Sequence, residues 1–475
     1  MITGNDLIAY GFKPGSWFKD AIEAANIAYN NGSSSTEIHA IIQEYEPEAI
    51  PEVSMRTNSI PFNVFLDTAN QDEINNKAKV IEHVDAIMRL PTVEAAAVMP
   101  DAMPSGSALG TIPVGGVVAT KGTIHPGMHS ADICCSMAIS VFNRDEDVSK
   151  VLDAAMKVTH FGWGKRSKSE VRQYKDLNTL IKKFDDNSFL KGLEDQAEDH
   201  FMTQGDGNHF LYVGHIESTG QLAVVTHHGS RGLGAQLYKR GMIEAKKHTA
   251  IIAPRAPEHN AWIDYESTRG EAYWDALQII RDWTKMNHLA IHDSLAKRIG
   301  NKVVDRWWNE HNFVFLRDDK FYHAKGATPN YRGFSADDDG RTLVPLNMSE
   351  PILMLNHVDN VASLGFAPHG AGRNFSRTEH YKRLGIEFNA DARGLSERDI
   401  QTVIDRETKA RGIDARFFAG APDLSEMPSS YKDANAVTTQ IKKYNLGKVY
   451  DRVLPGGSIM AGELPKTWTK KKKAK

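Results

Sequence analysis

From Met99 to Phe142 the chain reads MPDAMPSGSALGTIPVGGVVATKGTIHPGMHSADICCSMAISVF, with short β-branched runs broken repeatedly by glycine and proline. This alternation predicts short strands joined by tight turns. Other stretches follow a different pattern. Residues 70–90 carry apolar positions at helical spacing and stop at Pro91, and residues 270–298 read as a second amphipathic helix. Residues 166–200 read as charged, exposed helix, and residues 1–60 mix short helical and extended signals. Strand-like runs occupy 208–216, 221–227 and 351–356, and FVFLRDDKFYHA at 313–324 predicts a hairpin turning at Asp318-Asp319. Strands and long helices without regular β-α-β alternation predict an α+β fold.

At 475 residues the length alone suggests more than one domain. There is, however, no internal repeat and no long low-complexity linker. The chemistry-bearing residues also fall at strand ends and in Gly-rich loops across 132–373, so one large catalytic domain is the better reading. A hydrophobic content of 41% and a charged content of 25% are those of a soluble globular protein. No apolar run reaches the ~18 residues of a membrane span, and the N-terminus lacks a secretory pattern. The two cysteines, Cys134 and Cys135, are adjacent, which excludes a disulfide framework and points to the cytoplasm. The net charge of −3 conceals a tail, residues 466–475, with six lysines; the remainder sums to −9. Such a tail is either a disordered solubilising end or a polyanion contact.

His369-Gly370-Ala371-Gly372-Arg373 is poorly suited to filling a core. The glycines let another group approach the backbone, arginine matches phosphate, and the imidazole is free to act as nucleophile, ligand or proton shuttle. Five residues stand out as candidate metal ligands: Asp132, Cys135, His209, His227 and His323. Asp132 and Cys135 are spaced so that one turn aims both side chains at one point. Carboxylate, thiolate and imidazole together suit a first-row divalent ion, and five such ligands suffice for a pair of the kind used in phosphoryl transfer. Spacing alone leaves this open, because most of the 19 histidines must be surface or core residues and both cysteines fit as small buried hydrophobes. Ser230–Gly234 reads equally as an anion-holding loop or a glycine turn. Lys325-Gly326-Ala327-Thr328 reads equally as a phosphate contact or a hairpin exit. No Walker loop or dinucleotide fingerprint is present.

Eight motifs in order resemble the RtcB-type RNA ligases. They are Pro100-Asp101, residues 113–116 (PVGG), Asp132–Cys135, residues 207–210 (GNHF), residues 227–232 (HHGSRG), residues 323–328 (HAKGAT), His369–Arg373 and Tyr431–Asp433. The resemblance implies a single RtcB-like domain over residues 1–462, its mixed and antiparallel sheets surrounded by helices, with the lysine-rich tail from 463 to 475 disordered. It implies that Asp132, Cys135, His209, His227 and His323 hold two Mn²⁺ ions, with Cys135 bridging. His369 would become guanylylated from GTP, Asn208 and Arg373 would hold phosphate, Gly370, Ala371 and Gly372 would border the nucleotide, and Tyr431 would line the guanine pocket. The implied reaction joins RNA 3′-phosphate or 2′,3′-cyclic phosphate ends to 5′-hydroxyl ends, in RNA repair or tRNA splicing. The need for an activating protein partner stays open.

The departures are substantial. Tyr212 stands where the family has glutamate, His228 where it has serine, and Leu346–Ile352 where it has the GSMGTAS loop. Met460-Ala461-Gly462 replaces the usual terminal Lys-Gly, and Met103 and His129 also differ. They imply a divergent paralogue with a rebuilt guanine pocket. A manganese-dependent phosphoesterase that has lost guanylylation is the alternative, and a non-catalytic RNA-binding protein is a third reading.

Overall fold

The computed structural model describes residues 1–15, 17–46, 52–162, 164–171, 173–391 and 394–463. They pack as two compact units, Met1–Val53 and Ser54–Lys475, so residues 1–53 have a core of their own within the span expected to be one domain. The tail expected to be disordered lies outside the described residues from 464 onward.

The first unit is helical: Gly4–Ala9, Phe18–Asn30 and Ser35–Glu44. The extended signals expected in this stretch form no strand among its described residues. Ser34 explains where the third helix begins. Its Oγ accepts from the Glu37 amide while the Glu37 carboxylate accepts from the Ser34 amide, a reciprocal cap. The helices close over Leu7, Phe12, Ala21, Ala25, Ile38 and Ile42.

The second unit is built on two main sheets, confirming the α+β expectation. One has five strands in the order Asn63–Val64, Val93–Met103, Val114–Lys121, Lys320–Lys325, Asn312–Arg317. The other runs Val303–Glu310, Ser136–Phe142, Leu222–His228, Phe210–Ile216, Lys448–Met460, Ile352–Asn356, Arg341–Pro345, with Asp414–Phe417 added parallel to the long Lys448–Met460 strand. Its central strands are apolar on both faces. Met137, Ile139 and Val225 pack on one side, while Ala138, Phe142 and Val224 pack on the other. Helix Thr268–Ile299 starts at Ser267, whose Oγ accepts from the Gly270 amide at 3.0 Å, and ends at left-handed Gly300. It buries Tyr273, Leu277, Ile280, Trp283, Ile291 and Leu295. The hairpin at 313–324 turns where expected: Asp318 and Asp319 have φ of 50° and 63°. The charged stretch 166–200 is not one helix but three short ones, Lys168–Val171, Lys175–Lys182 and Glu194–His200. Among the described residues, no helix is long and apolar enough to cross a membrane.

Candidate metal and nucleotide site

Four neighbouring antiparallel strands bring the chemistry to one sheet edge. Val303–Glu310 ends there, Ser136–Phe142 begins there, Leu222–His228 ends there and Phe210–Ile216 begins there. The residues just beyond or at those ends are His311, Cys135, His227 and His209. Within Leu222–His228 the pleat sends His227 and His228 to opposite faces. The turn at Asp132–Cys135 is pinned on both sides: the Cys134 amide donates to Asn312 O at 2.7 Å, and the His311 amide donates to Cys135 O at 2.9 Å.

The resulting cluster has two lobes that share Cys135. In one, Cys135 Sγ lies 3.2 Å from His227 Nε2, which lies 3.1 Å from His311 Nε2. In the other, Cys135 Sγ lies 3.5 Å from His209 Nε2, which lies 3.1 Å from Asp132 Oδ2. His227 Nδ1 donates to the Asn208 carbonyl at 3.1 Å, which leaves its Nε2 lone pair aimed at the cluster. Burial holds this imidazole neutral, with its pKa lowered to about 3. Burial, reinforced by the Asp132 charge, pushes the Cys135 thiol well above its ordinary value, so a thiolate here calls for a cation. His209 Nδ1 and His311 Nδ1 have no hydrogen-bond partner. One sulfur, three imidazoles and one carboxylate converging at these distances fit a first-row divalent ion in each lobe, with the sulfur shared. Gly229 is required beside them, because a Cβ there would sit 2.1 Å from Asp132 Oδ1.

Four of the five expected ligands therefore meet, and His323 does not. Its strand turns it into the core, where Nε2 accepts from the His125 amide at 2.8 Å and Nδ1 donates to Phe321 O at 3.2 Å. Both ring nitrogens are occupied, and no lone pair remains for a metal. Its place in the cluster is taken by His311, which the sequence reading missed. The available signal was Asn309-Glu310-His311-Asn312, a polar run interrupting the apolar pattern between two strands.

His369 follows strand Phe366–Pro368, and its ring centre is 4.9 Å from that of His311. Its Nδ1 donates to Asp101 Oδ2 at 2.6 Å, and its main-chain amide donates to the same oxygen at 3.1 Å. Asp101 is fully buried, and Lys432 brackets it by donating to the Pro100 and Ala102 carbonyls, each at 2.9 Å. Gly372, at φ 74°, passes so close to Asp101 that a Cβ would sit 2.1 Å from its carbonyl oxygen. With Nδ1 as the protonated nitrogen, Nε2 of His369 keeps its lone pair.

Both groups line one cavity of about 310 Å³. Asn208, Gly370, Ala371, Gly372, Arg373 and Tyr431 line it too. Arg373 Nη1 and Nη2 make no hydrogen bond; its Nε donates to Phe375 O at 3.2 Å, and its guanidinium lies 5.5 Å from the Tyr431 ring centre. Tyr431 OH donates to buried Glu426, which also accepts from Arg377 Nε at 2.8 Å. Lys325 lines the cavity, whereas Thr328 is turned inward onto the Glu310 carbonyl. His228 stacks on His288, ring centres 3.4 Å apart, away from the metal cluster.

A sequence profile described as tRNA-splicing ligase RtcB matches residues 142–461. The chain is 24% identical to a protein named tRNA-splicing ligase RtcB from Aeropyrum pernix, across 75% of this chain and 86% of that one. It is 22% identical to the protein of the same name from Thermococcus kodakarensis, across 86% and 96%. It is 23% identical to RNA-splicing ligase RtcB2 of Escherichia coli, across 79% and 90%.

Proposed function

Since the chain belongs to the RtcB family, we propose that it is an RNA ligase that joins a 3′-phosphate or 2′,3′-cyclic phosphate end to a 5′-hydroxyl end through a nucleotidyl group carried on His369. Relatives across most of its length bear the name of splicing ligases, which supports RNA as substrate and repair or tRNA splicing as setting. The observation that carries the reading is the arrangement at His369. A buried carboxylate fixes the proton on Nδ1, and Nε2 is left free beside a convergent cysteine–histidine–carboxylate cluster and the Arg373 guanidinium, whose Nη groups make no hydrogen bond.

In this reading His369 Nε2 attacks the α-phosphorus of a nucleoside triphosphate, GTP in the family. A P–N bond forms, the α–β phosphoanhydride breaks and pyrophosphate leaves. Asp101 holds the Nδ1 proton throughout and stabilises the charge that the ring acquires. Arg373 Nη groups, which make no hydrogen bond within the chain, are offered to phosphate oxygens, and Asn208 lines the same cavity. The nucleotidyl group then passes to an RNA 3′-phosphate, releasing His369. The 5′-hydroxyl attacks that activated phosphorus, and the nucleoside monophosphate departs. A cyclic phosphate is first opened by water. Two divalent ions, Mn²⁺ in this reading, would be held by Asp132, Cys135, His209, His227 and His311, and would supply the charge that neutralises phosphoryl oxygens.

Intact-mass spectrometry after incubation with GTP or ATP and Mn²⁺ tests this. The wild-type chain is expected to gain one nucleoside monophosphate, and His369→Ala none. A wild-type chain that binds metal yet gains no adduct overturns the ligase reading in favour of a manganese-dependent phosphoesterase.

A further inference from the structure

Guanine and adenine differ along their Watson–Crick edge. Guanine presents N1–H and N2–H donors, best read by a carboxylate that accepts both, whereas adenine presents an acceptor at N1 and a donor at N6. The cavity has two described carboxylates, Asp132 and Glu426. Asp132 belongs to the metal cluster. Glu426 is already committed: Oε1 accepts from Arg377 Nε and Nη2 at 2.8 and 2.7 Å, while Oε2 accepts from Tyr431 OH with Arg373 Nη1 at 3.4 Å.

The wall leading away from the metal cluster runs through Phe210, whose ring centre is 5.2 Å from that of His227 and 6.4 Å from that of Tyr212. Tyr212 offers no acceptor of carboxylate strength, and its hydroxyl is turned onto main-chain carbonyls, Val453 O at 3.1 Å and Glu350 O at 3.4 Å. Across the strand pair from it is Ser458, whose buried Oγ has no partner. A hydroxyl both donates and accepts, so it serves either base. Asn347 spends its carbonyl on the Ser349 amide at 2.9 Å. Met348 and Met460 also line the cavity, flexible polarizable side chains that adapt to different shapes.

We infer that the nucleobase end of this cavity does not select guanine, so that the chain takes ATP as well as GTP, and that Tyr212 is the residue that withholds the selection. The inference rests on the nucleotidyl-transfer reading above. A site built to hydrogen-bond a particular group rejects the analogue lacking it by about 10⁴–10⁵, whereas an apolar wall discriminates far less.

The test is equilibrium binding, by calorimetry in Mn²⁺, of the α,β-methylene analogues of GTP and ATP, which cannot transfer the nucleotidyl group. Wild type and Tyr212→Phe are expected to bind both within about tenfold of each other. Tyr212→Glu is expected to shift the ratio toward guanine by about tenfold or more. A wild-type preference for guanine above about 100-fold overturns the inference and leaves the ligase reading standing. Binding of neither analogue overturns both. A folded Tyr212→Glu chain with an unchanged ratio removes Tyr212 from the role. Should Tyr212→Glu fail to fold, the wild-type and Tyr212→Phe ratios decide.

Discussion

Replacing Asp101 by asparagine tests whether the carboxylate sets the reactivity of His369. Oδ2 accepts two hydrogen bonds, from His369 Nδ1 at 2.6 Å and from the His369 amide at 3.1 Å, while Oδ1 is buried without a partner. Asparagine keeps the shape but meets a conflict in either orientation. With its oxygen at the Oδ2 position, two charge-assisted bonds become neutral ones about half as strong, and an amide NH₂ is left buried and unpaired at about 1–3 kcal/mol. Flipped, the NH₂ faces the His369 amide donor and obliges Nδ1 to accept, which moves the ring proton to Nε2, the attacking atom. Either way about 3–5 kcal/mol of transition-state stabilisation is expected to go, roughly 10²–10⁴ in rate. The assay is the single-turnover rate of adduct formation at saturating triphosphate and Mn²⁺, followed by intact mass, alongside the Kd of a non-transferable analogue. Binding should change little while the rate collapses. An adduct rate within about tenfold of wild type would refute the argument that Asp101 fixes the proton. So would a loss of binding as large as the loss of rate, because Asp101 would then only shape the cavity.

His311→Ala is expected to lower bound Mn²⁺ after dialysis, measured by elemental analysis. His323→Ala should retain the metal and instead lose about 1–3 kcal/mol of stability in urea, through the buried His125 amide left unpaired. Gly229→Ala forces a Cβ to 2.1 Å from Asp132 Oδ1, so the carboxylate must move, and metal affinity should fall about 10–100-fold in a competition titration. Lys325 lines the cavity, and burial lowers its ammonium to about 8. The ammonium is charged below that value and neutral above it, so the Kd for a triphosphate should rise by up to about tenfold per pH unit above about 8. Lys325→Met should flatten that dependence, and a wild-type Kd that stays level through this range counts against phosphate contact.

The parts of the fold written in local pattern were legible. The hairpin at Asp318-Asp319 has its turn residues at left-handed φ, and Gln71–Ile87, Thr268–Ile299, Phe210–Ile216 and Ile352–Asn356 fall where periodicity places them. The long strand Lys448–Met460 was hidden, because Pro455, Gly456 and Gly457 interrupt it. The register shift between Pro455 and Gly457 carries them while pairing with Phe210–Ile216 continues on both sides. The stretch 166–200 misled for the opposite reason. Charge at helical spacing sets local preference, but Phe184, Phe189, Leu190 and Leu193 are drawn into the core between helices and break the run.

Which histidines keep a lone pair to offer a metal depends on partners far away in sequence, which spacing does not encode. His288 spends its nitrogens on Ser136 and Thr226, His292 on Ser140 and Thr226, and His125 on Thr92 and the Asn260 carbonyl. His323 is used up in the same way, by His125 and Phe321. All four are buried imidazoles that the fold has fully hydrogen-bonded, and they serve as structure. His227 has one nitrogen held by the Asn208 carbonyl and the other exposed to Cys135 and His311, and His369 has Nδ1 held by Asp101 across 268 residues. In both, one ring nitrogen is satisfied by a carbonyl or carboxylate and the other keeps its lone pair, which suits a ligand or a nucleophile, whereas His209 and His311 turn Nε2 into the cluster with Nδ1 unpartnered. His311 is where motif and geometry part. It lies in the one-residue turn between two strands, its amide fixed to the Cys135 carbonyl, and that backbone bond points its ring into the cluster.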